Sequence, residues 1–171
     1  MLDLQRRVPD REAVLEQDLE LAPDAVAVVP RRDELPEAPR GDLLQAGPLL
    51  VRDGRAVFRR EHDAEGFSAG SRQFDSDITD GRHPRAALGV AAGRLFAVVC
   101  DGRSQRDAGL TLEELARLMA DLGCHTAINL DGGGSTSLIS GGRLRNHPYG
   151  GVDRPEPGGR PVSTALLFLP R

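Results

Sequence analysis

The sequence predicts an α+β fold with an α/β-like unit inside it: a mixed β-sheet carrying a strand–helix–strand crossover and β-hairpins, with helices packed on the sheet. Two observations predict it. The apolar runs "LFAVVCD" (95–101) and "TAINLD" (126–131) flank an amphipathic stretch, "LTLEELARLMADLGC", which is the arrangement of a crossover. The pairs Asp53-Gly54, Ala92-Gly93 and Gly141-Gly142 each separate two apolar-rich runs, the signal of a hairpin. A length of 171 residues suits one domain with a real core.

Taken in order, residues 10–21, "DREAVLEQDLEL", read as a helix with Asp10 as N-cap, followed by Pro23 and a strand-like "AVAVV" at 25–29. The charged, proline-rich 30–42 reads as a linker or exposed loop, so 1–44 forms an N-terminal helix/strand and linker and 45–171 the main domain. A hairpin follows over 46–58. Residues 60–84 are polar and irregular, long for a loop in a compact domain, and loops of that length are often functional. Strands are expected at 86–90 and 94–100, the second apolar on both faces and therefore central.

The clearest helix opens on a Thr111/Glu114 capping box, lines Leu112, Leu115, Leu118, Met119 and Leu122 along one side, and ends at Gly123. That stripe is a core face. A crossover of this kind usually pairs its two strands in parallel, which would bring Asp101 and Asp131 out on one sheet edge, where ligand crevices lie. Residues 136–146 read as a further hairpin, 147–159 as a loop, and "RPVSTALLFL" as a closing apolar strand.

Composition excludes several classes. The net charge is −4, with acids and arginines interspersed, so no basic stripe is available to hold a nucleic-acid backbone. No apolar run is long enough to span a bilayer, and "MLDLQRRVPD" has no h-region or cleavage site, so the chain is expected to be soluble and cytoplasmic. Cys100 and Cys124 have no metal-ligand spacing and read as small buried hydrophobes rather than a disulfide or a reactive thiol. His62, His83, His125 and His147 are scattered, which gives a zinc site little support.

Chemistry concentrates in "DGGGST". Gly132, Gly133 and Gly134 let backbone N–H groups converge on an anion, and Ser135 and Thr136 add hydroxyls, although a plain glycine-rich turn fits the same residues. In "HPRAALG" the guanidinium of Arg85 precedes a buried strand and would suit a phosphate. Arg160, Ser163 and Thr164 open the last run in the same way. Asp101 and Asp131 can divide acid and base work or share a divalent cation such as calcium or magnesium; the sequence does not choose.

Four ordered segments, "HPRAALG", "VVCDGRSQRDAGLTLEELARLMADLGC", "AINLDGGGSTSLI" and "GGRPVSTALLF", resemble the C-terminal half of the phosphodiester glycosidase family over roughly residues 45–171. The resemblance implies an α/β or α+β domain with a mixed sheet and a sugar-1-phosphodiester as substrate. It also implies a cleft built from Arg85, Asp101, Asn129, Asp131, Gly132, Gly133, Gly134, Ser135, Thr136, Arg160 and Ser163. Ala86 and Thr164 stand where the family often has threonine and asparagine.

Residues 1–44 contain no Asn-Gly-Gly-Phe-Phe-like motif of the family's N-terminal segment, which would make this a shortened, degenerate or partner-dependent member. The expected function is hydrolysis of the sugar C–O bond, with Asp131 and Asp101 as the catalytic pair and the other cleft residues on the phosphodiester-linked sugar. The alternatives are a non-catalytic sugar-phosphate-binding module and a metal-dependent phosphodiesterase. An exposed sheet edge would invite a homodimer.

Overall fold

The computed structural model describes residues 12–18, 44–62, 65 and 79–168. A six-stranded sheet is formed by β1 (Glu12–Asp18), β2 (Leu49–Arg52), β3 (Arg55–Ala56), β4 (Arg85–Ala91), β5 (Arg94–Cys100) and β6 (Thr126–Asn129), in the order β1-β5-β4-β6-β2-β3. Its one helix among the described residues, α1 (Leu112–Asp121), lies between β5 and β6 in the chain. Two small hairpins complete the description, β7 (Ile139–Ser140) with β8 (Arg143–Leu144), and β9 (Tyr149–Gly151) with β10 (Arg154–Pro155). Among the described residues no helix is long and apolar enough to cross a membrane.

The α+β class holds. The two crossover strands run in the same direction, as expected, but they do not pair: β4 sits between them and is antiparallel to both. The reason is local. Two residues, Ala92 and Gly93 (φ +70°), turn β4 directly into β5 with unbroken register from Arg85↔Cys100 to Ala91↔Arg94, so β6 takes the other edge of β4. The other two turns behave as their glycines foretell, with positive φ at both Asp53-Gly54 and Gly141-Gly142, the conformation of a type I′ hairpin.

Two expectations are corrected. Residues 12–18 form a strand rather than the middle of a helix, paired with β5 from Glu12↔Cys100 to Asp18↔Arg94, so they join the same sheet as the main domain. An open edge on a strand as apolar as β5 outweighs local helix propensity. At the other end, 161–168 carries no strand, and Val162, Leu166 and Leu167 are exposed. An apolar run becomes a strand only against a partner edge, and no described strand pairs with this one. The strand expected at 25–29, the linker at 30–42 and much of the 60–84 loop lie outside the described residues.

The helix is as the sequence predicts. Thr111 Oγ1 accepts from the Glu114 amide at 3.2 Å, and the Glu114 carboxylate accepts from the Thr111 amide at 2.9 Å. Leu112, Leu115, Ala116 and Met119 are buried against Leu50, Val51, Ala87, Phe96, Val98 and Ala127, with Leu118 and Leu122 at the margin. Both cysteines are buried, and burial pushes the Cys124 thiol up to about 11, so at neutral pH it is an inert hydrophobe.

Met119 of the helix and Cys124 just beyond it crowd the sheet at Gly89. A Cβ there would lie 2.5 Å from Cys124 Sγ and 2.6 Å from Met119 Cε. Gly89→Ala is therefore expected to destabilise the fold by about 1–3 kcal/mol through overpacking. Chemical denaturation measures this, and an unchanged midpoint would show that the helix can move away.

Candidate functional site

The strand order fixes where the site lies. β4 begins where β5 and β6 end, so Asp101, Arg85 and the chain leaving Asn129 all reach one sheet edge. With β4 between them, the strands leading to Asp101 and Asp131 are two inter-strand spacings apart, about 10 Å. The two acids differ in every other respect.

Asp101 is 7% exposed, and its carboxylate is fully engaged. It accepts from Asn146 Nδ2 at 3.1 Å, from the His147 amide at 2.9 and 3.0 Å, and from His147 Nδ1 at 3.1 Å. Asn146 also donates to the Thr136 carbonyl at 2.9 Å and accepts from the Leu138 amide at 2.9 Å. A buried carboxylate needs such donors to offset its desolvation, and here they tie residues 146–147 to the end of the glycine loop. Asp131 is exposed and engages no partner among the described residues.

The glycine loop follows Asp131 as a single 3-10 turn, Gly133–Ser135. Three of its amides are spent within the protein: Gly133 donates to the Pro84 carbonyl at 2.9 Å, and Ser135 and Thr136 donate to Gly132 and Gly133 at 3.1 Å. The missing side chains serve close approach. A Cβ on Gly132 would stand 2.9 Å from the Pro84 oxygen, and one on Gly133 (φ +58°) would stand 3.1 Å from the Arg103 guanidinium. A Cβ on Gly134 would stand 3.1 Å from Gly150 Cα and 3.5 Å from the Arg160 guanidinium.

Three arginines gather at this edge, in two environments. Arg85 is 3% exposed and donates from Nε to the Leu110 carbonyl at 3.0 Å and from Nη2 to the Gly81 carbonyl at 3.2 Å. Burial first, and then the charge of Arg103, lower it to about 10, so it remains a cation at neutral pH. Arg103, half-buried with a left-handed backbone (φ +61°), donates from Nε to His83 Nδ1 at 3.4 Å and from Nη1 to the Gly150 carbonyl at 3.4 Å. The exposed Arg160 donates from Nη2 to Ser135 Oγ at 2.6 Å.

Of the remaining expected residues, Asn129 is 3% exposed, donates from Nδ2 to the Gly47 carbonyl at 3.0 Å, and leaves Oδ1 buried without a partner among the described residues. Thr136 is fully buried, with Oγ1 likewise unpartnered. Ser163 lies in the exposed run beyond Arg160. None of these residues lines the 610 Å³ depression formed by Arg59, Arg60, Glu61, His62 and Glu113. Among the described residues no three His, Cys, Asp or Glu side chains group as a metal requires, and Asp101, spent on N–H donors, does not complete a set of oxygen ligands with Asp131.

Sequence reasoning missed Arg103, Asn146 and His147. Arg103 ends the third Asp-Gly-Arg of the chain, which was legible as turn chemistry only. The Asp101 partners lie 45 and 46 residues downstream, with no local signal linking them.

The chain belongs to the phosphodiester glycosidase family, whose model matches residues 5–169. It is 38% identical over 74 residues to the SPbeta prophage-derived uncharacterized protein YomE of Bacillus subtilis, a match covering 43% of this chain and 12% of that protein. Among solved structures, a hypothetical protein from Synechocystis is 38% identical, with a TM-score of 0.46, over 59% of this chain and 17% of its own. The zebrafish N-acetylglucosamine-1-phosphodiester alpha-N-acetylglucosaminidase catalytic domain, auto-inhibited by its pro-peptide, is 27% identical with a TM-score of 0.49, over 61% of this chain and 34% of its own. The chain thus spans about an eighth to a third of the length of these relatives.

The partners of Arg85 are carbonyls of its own chain, which makes its loss first a structural event. Arg85→Ala should lower stability by about 1–3 kcal/mol, because the Gly81 carbonyl loses its donor and the Leu110 carbonyl keeps only the His83 amide. Thermal unfolding checks this; an unchanged melting temperature would show that water replaces the guanidinium without cost.

Proposed function

We propose that the chain hydrolyses a sugar-1-phosphodiester at the sugar C–O bond, releasing free sugar and a phosphomonoester. One observation carries the reading: the guanidiniums of Arg103 and Arg160 stand against the glycine loop, at the head of which Asp131 presents a carboxylate with no partner among the described residues. Two cations beside bare backbone suit a phosphodiester, and a free carboxylate suits a centre that becomes positive. Family membership supports the same substrate class.

The chemistry asks little of an acid. A phosphomonoester leaves as a stable anion, with a second pKa near 6, so its departure needs charge stabilisation more than protonation. Arg103 and Arg160 hold the phosphate oxygens, with the Ser135 hydroxyl bridging to Arg160. Asp131 faces the anomeric carbon and stabilises its oxocarbenium-like charge. Asp101 takes no direct part, since its oxygens already hold residues 146 and 147.

A second reading, a non-catalytic sugar-phosphate-binding module, is favoured by the state of the expected acid pair, of which Asp131 is exposed while Asp101 is spent on donors of its own chain. Titration calorimetry with N-acetylglucosamine 1-phosphate beside a turnover assay on N-acetylglucosamine 1-(methyl phosphate) separates the two. Binding without products would replace the hydrolase, and sugar phosphate with methanol as products would replace both readings.

Asp131→Asn is expected to lower kcat by about a hundredfold or more with the melting temperature unchanged. Wild-type turnover by this variant would remove Asp131 from the reaction. Arg103→Ala should raise KM for the diester about ten- to a hundredfold, the weight of one charge-assisted hydrogen bond of roughly 1.5–3 kcal/mol. An unaltered KM would place the phosphate elsewhere.

A further inference from the structure

The Asp101 carboxylate does more than the anchoring of a loop requires. The Asn146 side chain and the His147 amide already fasten residues 146–147 to it, yet Oδ2 also accepts from His147 Nδ1 at 3.1 Å. The imidazole is 85% exposed, so this bond fixes a ring that solvent would otherwise leave free to rotate. An ionised carboxylate can only accept, which places the proton on Nδ1 and leaves the lone pair of Nε2 facing outward. Asn146 donates to the carbonyl of Thr136, so the same short segment is held beside the end of the glycine loop.

On the reading of the site as a phosphodiester glycosidase, we propose that His147 is the proton acceptor of the hydrolysis and that Asp101 is its positioning residue. The water oxygen forms its bond to the anomeric carbon as the C–O bond to phosphate breaks, with that electron pair leaving on the phosphate oxygen. The water proton passes to Nε2. The resulting imidazolium is stabilised by the Asp101 carboxylate and then releases its proton to solvent, so the products are free sugar, phosphomonoester and one proton. This is the arrangement of a histidine base oriented by a buried aspartate. It separates labour between Asp131, which faces the positive carbon, and His147, which handles the proton.

The test uses the whole chain and N-acetylglucosamine 1-(methyl phosphate), with products read by phosphorus NMR. His147→Ala should lower kcat by about 10²–10⁴-fold while KM moves little, and added imidazole should restore part of the rate. Asp101→Asn should lower kcat without imidazole rescue, because the histidine is still in place. Independently of turnover, nitrogen NMR of the wild-type ring should show the proton on Nδ1, and Asp101→Asn should abolish that preference. Full kcat in His147→Ala, or a ring protonated on Nε2 in the neutral wild type, would overturn the proton transfer and leave the glycosidase reading standing. No turnover by the wild type would overturn both.

Discussion

A two-residue turn between β4 and β5 leaves β4 no partner closer than β5, so the strand that α1 delivers must take the remaining edge of β4. Everything at this sheet edge depends on that insertion. It sets the strand leading to Asp131 one strand further from Asp101 than direct parallel pairing would, and it puts the start of β4 in the gap. Arg85 occupies that gap as a buried cation, donating to the Gly81 carbonyl and, beside the His83 amide, to the Leu110 carbonyl.

Burial then divides like residues into unlike roles. Arg85 and Asp101 are both nearly inaccessible and both pair with groups of their own chain, because an ion removed from water must recover its hydration from fixed dipoles. Arg160 and Asp131 lie at the same edge but face water, and Arg103 is half-buried. A charge that stays hydrated can give up water to a ligand at modest cost. A charge already satisfied by its own chain gains nothing by the exchange. The exposed Arg160 and Asp131, with the half-buried Arg103 whose own-chain contacts are long at 3.4 Å, are therefore the ones proposed to meet substrate, and the buried members hold the edge in shape.

Much of this was legible in the residues. Three hairpins, the capped helix and the common edge of Asp101 and Asp131 followed from turn glycines, apolar spacing and strand direction, all of which are local. What failed was everything that depends on a distant partner. Residues 12–18 read as helix because their own pattern carries no trace of β5. Residues 160–169 read as strand because an apolar run does not state whether an edge awaits it. At the site, "DGGGST" announced an anion loop, but the cation against Gly133 came from Arg103, and the role of Asp101 was set by Asn146 and His147. These pairings are made by the fold.

The glycine loop shows how the two kinds of information combine. Bare backbone suggested amides converging on an oxyanion, yet three of the loop amides donate to Pro84, Gly132 and Gly133. An amide already bonded at 2.9–3.1 Å cannot also be the main support of a phosphate. The glycines are needed because the Pro84 carbonyl, Gly150 and two guanidiniums all approach within the space that side chains would fill. Shape therefore comes from glycine and charge from arginine, and a side chain on Gly133 would act by displacing Arg103 rather than by blocking an amide. On the proposed function, a phosphate at this loop is held by the loop's neighbours.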